Sequence, residues 1–311
     1  MNSNDKILIT GGNGLIGTAL TRHLSALGFS NLIIADINNC NLKDMEATLA
    51  FFKQQQPDYV FHLAATVYGV MGNIKNKGMV FLDNILINTN VVECCRQVNV
   101  KKIVAMGTSA AYPEPAHSLP LKEKEFWLGE PHYSESSYAH AKRAMLAHLL
   151  AYRESFAMPF AYVIGTNLYG PNDKFDIENG HVIPSLIRKF YDAKQNNDFV
   201  TVWGNGTACR DFLYSEDAAC ALHIIMDKVD GPVNLATGKV HSIQEVTSYL
   251  AKYLNMEGMV KWDTTKPNGL AYREFDVSIL TAAGFKPKID LEAGLINTYE
   301  WYCRNVSTAR K

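Results

Sequence analysis

The sequence predicts an α/β chain: a doubly wound parallel sheet carrying a smaller, C-terminal α+β part. Four short apolar runs alternate with amphipathic segments over residues 6–107, the pattern of a parallel sheet with crossover helices. Glycines spaced three apart join the first apolar run to the first amphipathic segment. The composition is that of a globular chain: 311 residues, 47% hydrophobic and 20% charged, can bury one large core and a smaller satellite.

The first unit reads Lys6-Ile-Leu-Ile-Thr10, then Gly11-Gly-Asn-Gly-Leu-Ile-Gly17, then an amphipathic segment to Leu27. Strand, glycine turn and helix in that order favour a dinucleotide, because missing Cβ atoms allow a tight turn and close approach of a pyrophosphate to the helix N-terminus. The second strand ends in Asp36, about 20 residues past the glycines, where a carboxylate meets the adenosine ribose hydroxyls and repels a 2′-phosphate. No Lys or Arg follows until Lys43, which favours NAD(H) while leaving NADP(H) open. The competing reading makes Asp36 a turn cap.

A helix over 43–55 and a strand over 59–65 form the third unit, and a helix over 84–98 with a strand over 103–107 the fourth. The whole is a Rossmann-type sheet, whose ligands sit beyond the carboxyl ends of the strands. The expected cofactor contacts are therefore Gly11, Asn13, Gly14, Leu15, Ile16 and Gly17 in the turn, with Asp36, Leu63, Ala64 and Ala65 at later strand ends. Thr108 and Ser109 follow the fourth strand at the same mouth.

Ser137-Tyr-Ala-His-Ala-Lys-Arg143 opens the next helix, and Tyr138 and Lys142, four apart, share one face. An ammonium near a phenol lowers its pKa from about 10 toward operating pH. Such a tyrosine exchanges a proton at a carbonyl or alcohol while a nicotinamide, also touched by Lys142, exchanges hydride; Thr108 completes the hydrogen bonding around that oxygen.

Charge and cysteines narrow the function classes. With 30 Lys+Arg against 31 Asp+Glu there is no global basic field for nucleic acid or an anionic membrane. No apolar stretch reaches the ~20 residues of a membrane span. The six cysteines contain no CxxC, and no His, Cys and carboxylate grouping has metal-ligand spacing. The expectation is a cytoplasmic protein with idle thiols and no metal.

These features resemble the extended short-chain dehydrogenases/reductases, and within them the GDP-L-fucose synthase family. The markers are the glycine turn, Phe61-His-Leu-Ala-Ala65, Tyr138-Ala-His-Ala-Lys142, Thr166-Asn-Leu-Tyr-Gly-Pro171, Gly180-His-Val-Ile-Pro184, Val202-Trp-Gly-Asn-Gly206 and Arg210-Asp-Phe212, across nearly the whole chain. The resemblance implies epimerisation of a GDP-4-keto-6-deoxymannose at C3 and C5, then NADPH reduction at C4, by a homodimer pairing through the helices over 84–98 and 138–155. It also implies Thr108, Tyr138 and Lys142 for reduction, and a Cys/His pair for epimerisation. His181 matches the histidine, but Ala110 stands at the cysteine position, so half of the epimerase machinery is missing. The second-strand end Ala35-Asp36-Ile37 also departs from the family's usual NADP-binding groups.

For the substrate the resemblance implies Arg188 and Arg210 on the diphosphate, Trp203 and Asn167 near nucleotide and sugar, and Ser109 near the reacting centre. Lys189 reads as a solvated helix position, and the competing reading of Arg210 is an ion pair with Asp211 or Asp217. A strand over 232–237 should rejoin the sheet, Ser242-Ile-Gln-Glu245 should cap a helix to about 254, and Lys266-Pro-Asn-Gly269 should form a loop. The expected division is 1–168, plus about 208–240 returning to the sheet, for the cofactor, and 169–207 with 241–311 for the nucleotide sugar. The leading reading is a C4 ketoreductase on a GDP-linked sugar with epimerase function lost. A redox-neutral NAD-dependent 4-epimerase, a true fucose synthase and an NAD-sensing binding module are the alternatives.

Overall fold

The structure, a computed structural model, describes residues 1–67, 70–178, 180–266 and 270–311; the loop expected over 266–269 lies largely outside them. The chain opens as β1 (Ile7–Thr10), α1 (Leu15–Ala26), β2 (Leu32–Ala35), α2 (Met45–Gln55) and β3 (Tyr59–His62). Next come α3 (Val70–Lys75), α4 (Lys77–Gln97), β4 (Lys102–Met106), α5 (Ser136–Phe156), β5 (Phe160–Gly165) and β6 (Asn167–Tyr169). The rest is α6 (Val182–Asn196), β7 (Val200–Trp203), β8 (Cys209–Tyr214), α7 (Ser215–Lys228), β9 (Gly231–Leu235) and β10 (Val240–Ser242), then α8 (Ile243–Leu254), β11 (Val260–Asp263), α9 (Ser278–Ala282) and α10 (Leu291–Asn305).

Six parallel strands form the main sheet in the order β2-β1-β3-β4-β5-β9. Side chains alternate across it, as the two-residue strand period demands. Leu8, Val60, Ile103 and Tyr162 pack with Phe52, Val91 and Leu146 of α2, α4 and α5. Ile9, Phe61, Val104 and Val163 pack with Leu20 and Leu24 of α1 and Leu222 and Ile225 of α7 on the other face. Strands buried on both faces read as the continuous apolar runs seen in the sequence. From β1 the chain passes outward to β2, then crosses to β3 on the other side of β1. The crevice between the carboxyl ends of β1 and β3 is thus the topological switch point where such sheets bind ligands.

A third core gathers Phe190 of α6, Leu250 of α8, Leu295 and Tyr302 of α10, and Phe212 and Tyr214 of β8. The segment expected to return whole to the large sheet divides. Only β9 joins that sheet; β8 pairs with β6 and β10 in a separate three-stranded one. Alternation explains it: Leu213 faces the large-sheet core while its neighbours Phe212 and Tyr214 face the third core. The Ser242–Glu245 capping box forms as expected.

The helix expected over 84–98 begins at Lys77. Its buried residues include the amides Asn84, Asn88 and Asn90 beside Val80, Ile87 and Val91, and an apolar periodicity passes over the amides. Asn84 is accommodated by donating to the Thr66 carbonyl at 2.9 Å and accepting from the Thr66 N–H at 3.2 Å.

Candidate active site

The glycine turn closes the amino end of the crevice. Gly11 has φ +71°, and a Cβ there would lie 2.9 Å from the Ala64 backbone, so the ends of β1 and β3 touch only because this residue is glycine. A Cβ on Gly17 would lie 2.4 Å from the Gly11 carbonyl, which locks the turn against α1. Gly14 differs: a Cβ there would meet only the Gly11 carbonyl, at 3.2 Å. The turn is packed behind and clear in front, which fits a pyrophosphate approaching the α1 N-terminus, where the first turn carries no acid. Leu15, Ile16, Leu63, Ala64 and Ala65 are half-buried around this point.

At the end of β2, Asp36 accepts hydrogen bonds from the Asn13 side chain and from the Asn38 N–H at 2.8 Å. The carboxylate caps its own turn, and its bond from Asn13 ties it to the glycine loop. Lys43, the next cation in the chain, is paired with Asp83 at 3.2 Å.

The reacting groups meet beyond β4. Lys142 is buried and its Nζ donates to the Met106 carbonyl at 2.8 Å, while lying 5.9 Å from the Tyr138 ring centre. Burial pushes the lysine down to about 7. The expectation that Lys142 lowers the tyrosine pKa is overturned. Burial, with a smaller contribution from the Glu135 carboxylate, raises the Tyr138 phenol above its ordinary value of 10, and the ammonium, directed at a carbonyl, does not offset this. The phenol therefore holds its proton at neutral pH. Thr108 caps the turn Ser109–Ala111, its Oγ1 accepting from the Ala110 N–H at 3.2 Å, which leaves its own proton to donate. Ala110 is buried in that turn. The Tyr112 hydroxyl is turned into the core, where it donates to Asn234 at 2.7 Å.

Two basic side chains exchange the places expected of them. Arg188 donates to the Phe175 carbonyl at 3.1 Å and pairs with Asp192 at 3.6 Å. Lys189 is not a solvated helix position: it donates to the Thr201 carbonyl at 3.0 Å and lies 5.0 Å from the Trp203 ring centre. Its neighbour on α6 turns away because consecutive helical residues point about 100° apart. Lys189, Asp192, Asn196, Phe199 and Trp203 line a cavity of about 320 Å³, and Arg188 is not among its walls.

Arg210 is half-buried, and burial lowers it to about 10. The ion pairs considered for it are not made. Asp211 accepts from the Thr237 and Gly238 N–H groups, and Asp217 from the Lys288 and Ile289 N–H groups. Its strongest charged neighbour is Arg273, a residue the sequence reading missed. A β-bridge from Cys209 to Tyr272 brings the two arginines together. Arg273 donates to the Ser109 carbonyl at 2.9 Å, and its buried Nη2 makes no hydrogen bond, only a 3.9 Å ion pair with Glu114. No local motif marks it; only the bridge across 63 residues of chain does (272 − 209). Asn167 donates to the Asp211 carbonyl at 3.1 Å and lines a small cleft together with His181, which is exposed at the start of α6. Among the described residues no group of three or more His, Cys, Asp or Glu could hold a metal ion, and no helix is long and apolar enough to cross a membrane.

A dinucleotide crevice with a protonated phenol and a buried lysine at its mouth is the working part of short-chain dehydrogenases/reductases. The sequence agrees: residues 7–236 match the NAD dependent epimerase/dehydratase family, and the chain belongs to it. Probable GDP-L-fucose synthase 1 of Oryza sativa subsp. japonica is 36% identical over 98% of this chain and 94% of its own length. A GDP-L-fucose synthetase from Naegleria fowleri bound to NADP superposes with a TM-score of 0.92 at 31% identity, covering 100% of this chain and 96% of that one. MlghC, a GDP-mannoheptose C4 reductase from Campylobacter jejuni with NADP bound, superposes with a TM-score of 0.88 at 30% identity, covering 97% and 99%.

Proposed function

We propose that this protein is an NAD(H)-dependent reductase acting at C4 of a GDP-linked 4-keto sugar, with epimerisation at C3 and C5 lost. The observation that carries the reading is the turn after β4. It leaves Thr108 a hydroxyl proton to donate and buries Ala110 where an epimerase needs an acid, while Tyr138 at the start of α5 holds its proton. A nicotinamide cofactor held at the Gly11–Gly17 turn would supply the hydride for the carbonyl carbon. Tyr138 donates its phenolic proton to the carbonyl oxygen, and Thr108 donates a hydrogen bond to that same atom. Lys142, at about 7, can carry the positive charge that steadies the resulting phenolate.

The substrate half supports a nucleotide diphosphate. Arg210 and Arg273 place two guanidiniums together, and the buried Nη2 of Arg273, paired with Glu114 only at 3.9 Å, has a hydrogen-bonding position that a diphosphate oxygen would fill. Trp203, backed by Lys189, offers a face for the base. The relatives named for GDP-sugar chemistry favour guanine. NAD(H) is preferred over NADP(H) because Asp36 is held toward the glycine loop and Lys43 is occupied by Asp83. We place the enzyme in the cytoplasm, paired as a homodimer through α4 and α5, where Met79, Phe81, Leu82 and Phe156 are exposed. The cofactor is assigned to residues 1–168 with β9, and the nucleotide sugar to the segments around α6, α8 and α10.

The test is turnover of GDP-4-keto-6-deoxymannose with NADH in heavy water. The expected product is reduced at C4 with one NADH consumed per turnover and little deuterium at C3 or C5. Efficient deuterium incorporation at both carbons, or turnover without NADH loss, would overturn the reading in favour of a synthase or a redox-neutral epimerase.

A further inference from the structure

His62, at the end of β3, lies outside the reaction described above, yet it is fully buried with both ring nitrogens engaged. The Asn88 amide nitrogen donates to the Ala141 carbonyl at 3.5 Å, the longest bond of the series, so its oxygen faces His62. That oxygen can only accept, and it lies 3.0 Å from Nε2, so Nε2 carries the hydrogen. Nδ1 is then an acceptor, and Thr10 Oγ1, 2.8 Å away, donates to it. Thr10 Oγ1 in turn accepts from the Ala64 N–H at 3.3 Å.

The series crosses the catalytic centre from below. Ala64 is the residue whose backbone touches Gly11 at the cofactor turn. Thr10 is the last residue of β1, and Ala141 immediately precedes Lys142 on α5. One histidine thus connects both walls of the cofactor crevice to the helix that carries the acid. Burial and the nearby Lys142 charge hold His62 to a pKa of about 3, so the imidazole stays neutral at any working pH and the connection does not switch.

We propose that His62 is a positioning residue: as the neutral Nε2–H tautomer it ties the ends of β1 and β3, through Asn88 of α4, to the Tyr138 and Lys142 helix. It fixes the distance between the bound nicotinamide and the proton donor. This rests on the hydride-transfer reading of the site. Small misplacements suffice to matter, since a shift of about 1 Å can cost ~10²-fold in rate.

Two measurements test it. Nitrogen NMR of the histidine-labelled protein with NADH bound needs no substrate, and so stands apart from the proposed reaction. It should show one imidazole that stays in the neutral Nε2–H form down to about pH 5, well below the ordinary histidine pKa of ~6.5, and that disappears in His62→Gln. Titration of every histidine near the ordinary value would overturn the assignment, whatever reaction the enzyme performs. The second is single-turnover oxidation of NADH at saturating substrate. His62→Phe, which removes both bonds, should slow it by about 10–10²-fold, while NADH affinity stays within about threefold of the parent. His62→Gln, which keeps a donor toward Asn88, should recover most of the loss. His62→Phe at the parental rate, or a loss that follows only the unfolded fraction measured by circular dichroism, would overturn the positioning role.

Discussion

Replacing Tyr138 with phenylalanine removes one oxygen and leaves nearly everything else in place. Lys142 keeps its 2.8 Å bond to the Met106 carbonyl, because that bond does not involve the phenol. The turn Ser109–Ala111 is held by Arg273 and by Arg143, which donates to the Ala111 carbonyl at 2.9 Å, so its geometry is independent of Tyr138 as well. What is lost is the proton delivered to the C4 oxygen. General acid catalysis contributes ~10²–10⁴-fold, and Thr108 retains a hydrogen bond to the same oxygen, so the low end applies. A ~10²-fold loss corresponds to about 2.7 kcal/mol in the barrier. The assay is stopped-flow loss of NADH absorbance with GDP-4-keto-6-deoxymannose at saturation, across pH. The burial-raised phenol of the parent should give a reduction rate with no break from phenol ionisation at neutral pH. Tyr138→Phe should bind NADH normally and reduce the sugar ~10²-fold more slowly. Parental turnover in the variant would refute the assignment of the acid. A fall in rate through neutrality that persists in Lys142→Met, where the lysine that titrates at about 7 is gone, would refute the claim that the phenol enters the reaction protonated.

Two further outcomes follow from the same geometry. NADH should bind at least about tenfold more tightly than NADPH, ~1.4 kcal/mol, in paired fluorescence titrations, and Asp36→Ala should erase the difference; equal affinities in the parent would contradict the role of Asp36. Lys142 binds its proton only up to about 7 in the fold but to 10.5 when unfolded, so the unfolded state holds more protons between those values and stability rises with pH across that window. Denaturation midpoints measured through the window should rise less steeply in Lys142→Met than in the parent; an unchanged slope would show that the lysine is not desolvated.

The parallel sheet and the cofactor turn were legible in the sequence because both rest on local rules. A strand buried on both faces is apolar along most of its length, and a turn at φ +71° with backbone at 2.9 Å admits only glycine, so β1, β3, β4, β5 and the Gly11–Gly17 turn are written in residue types. The pairing of Tyr138 with Lys142 was legible for the same reason, since helical spacing places them on one face. Their protonation was not. Whether an ammonium lowers a phenol depends on where its hydrogen bonds go and on how much water both groups lose. Those depend on the Met106 carbonyl and the walls of the crevice.

The same division runs through the rest of the molecule. Asn84 and Asn88 look like surface positions of α4 because a buried amide looks polar until its partners, Thr66 and His62, are brought alongside. Arg188 and Lys189 are indistinguishable as neighbours on a helix, and only the packing of α6 against β7 sends the lysine to Trp203 and the arginine to Phe175. Arg273 joins Arg210 through a bridge between distant segments. Residue type and spacing set the fold and the reacting pair because backbone geometry and apolar periodicity act over a few residues. The charge states of Tyr138 and Lys142, the packing of Lys189 on Trp203 and the meeting of Arg273 with Arg210 were decided by tertiary structure, because desolvation and hydrogen-bond partnership exist only once remote segments have met.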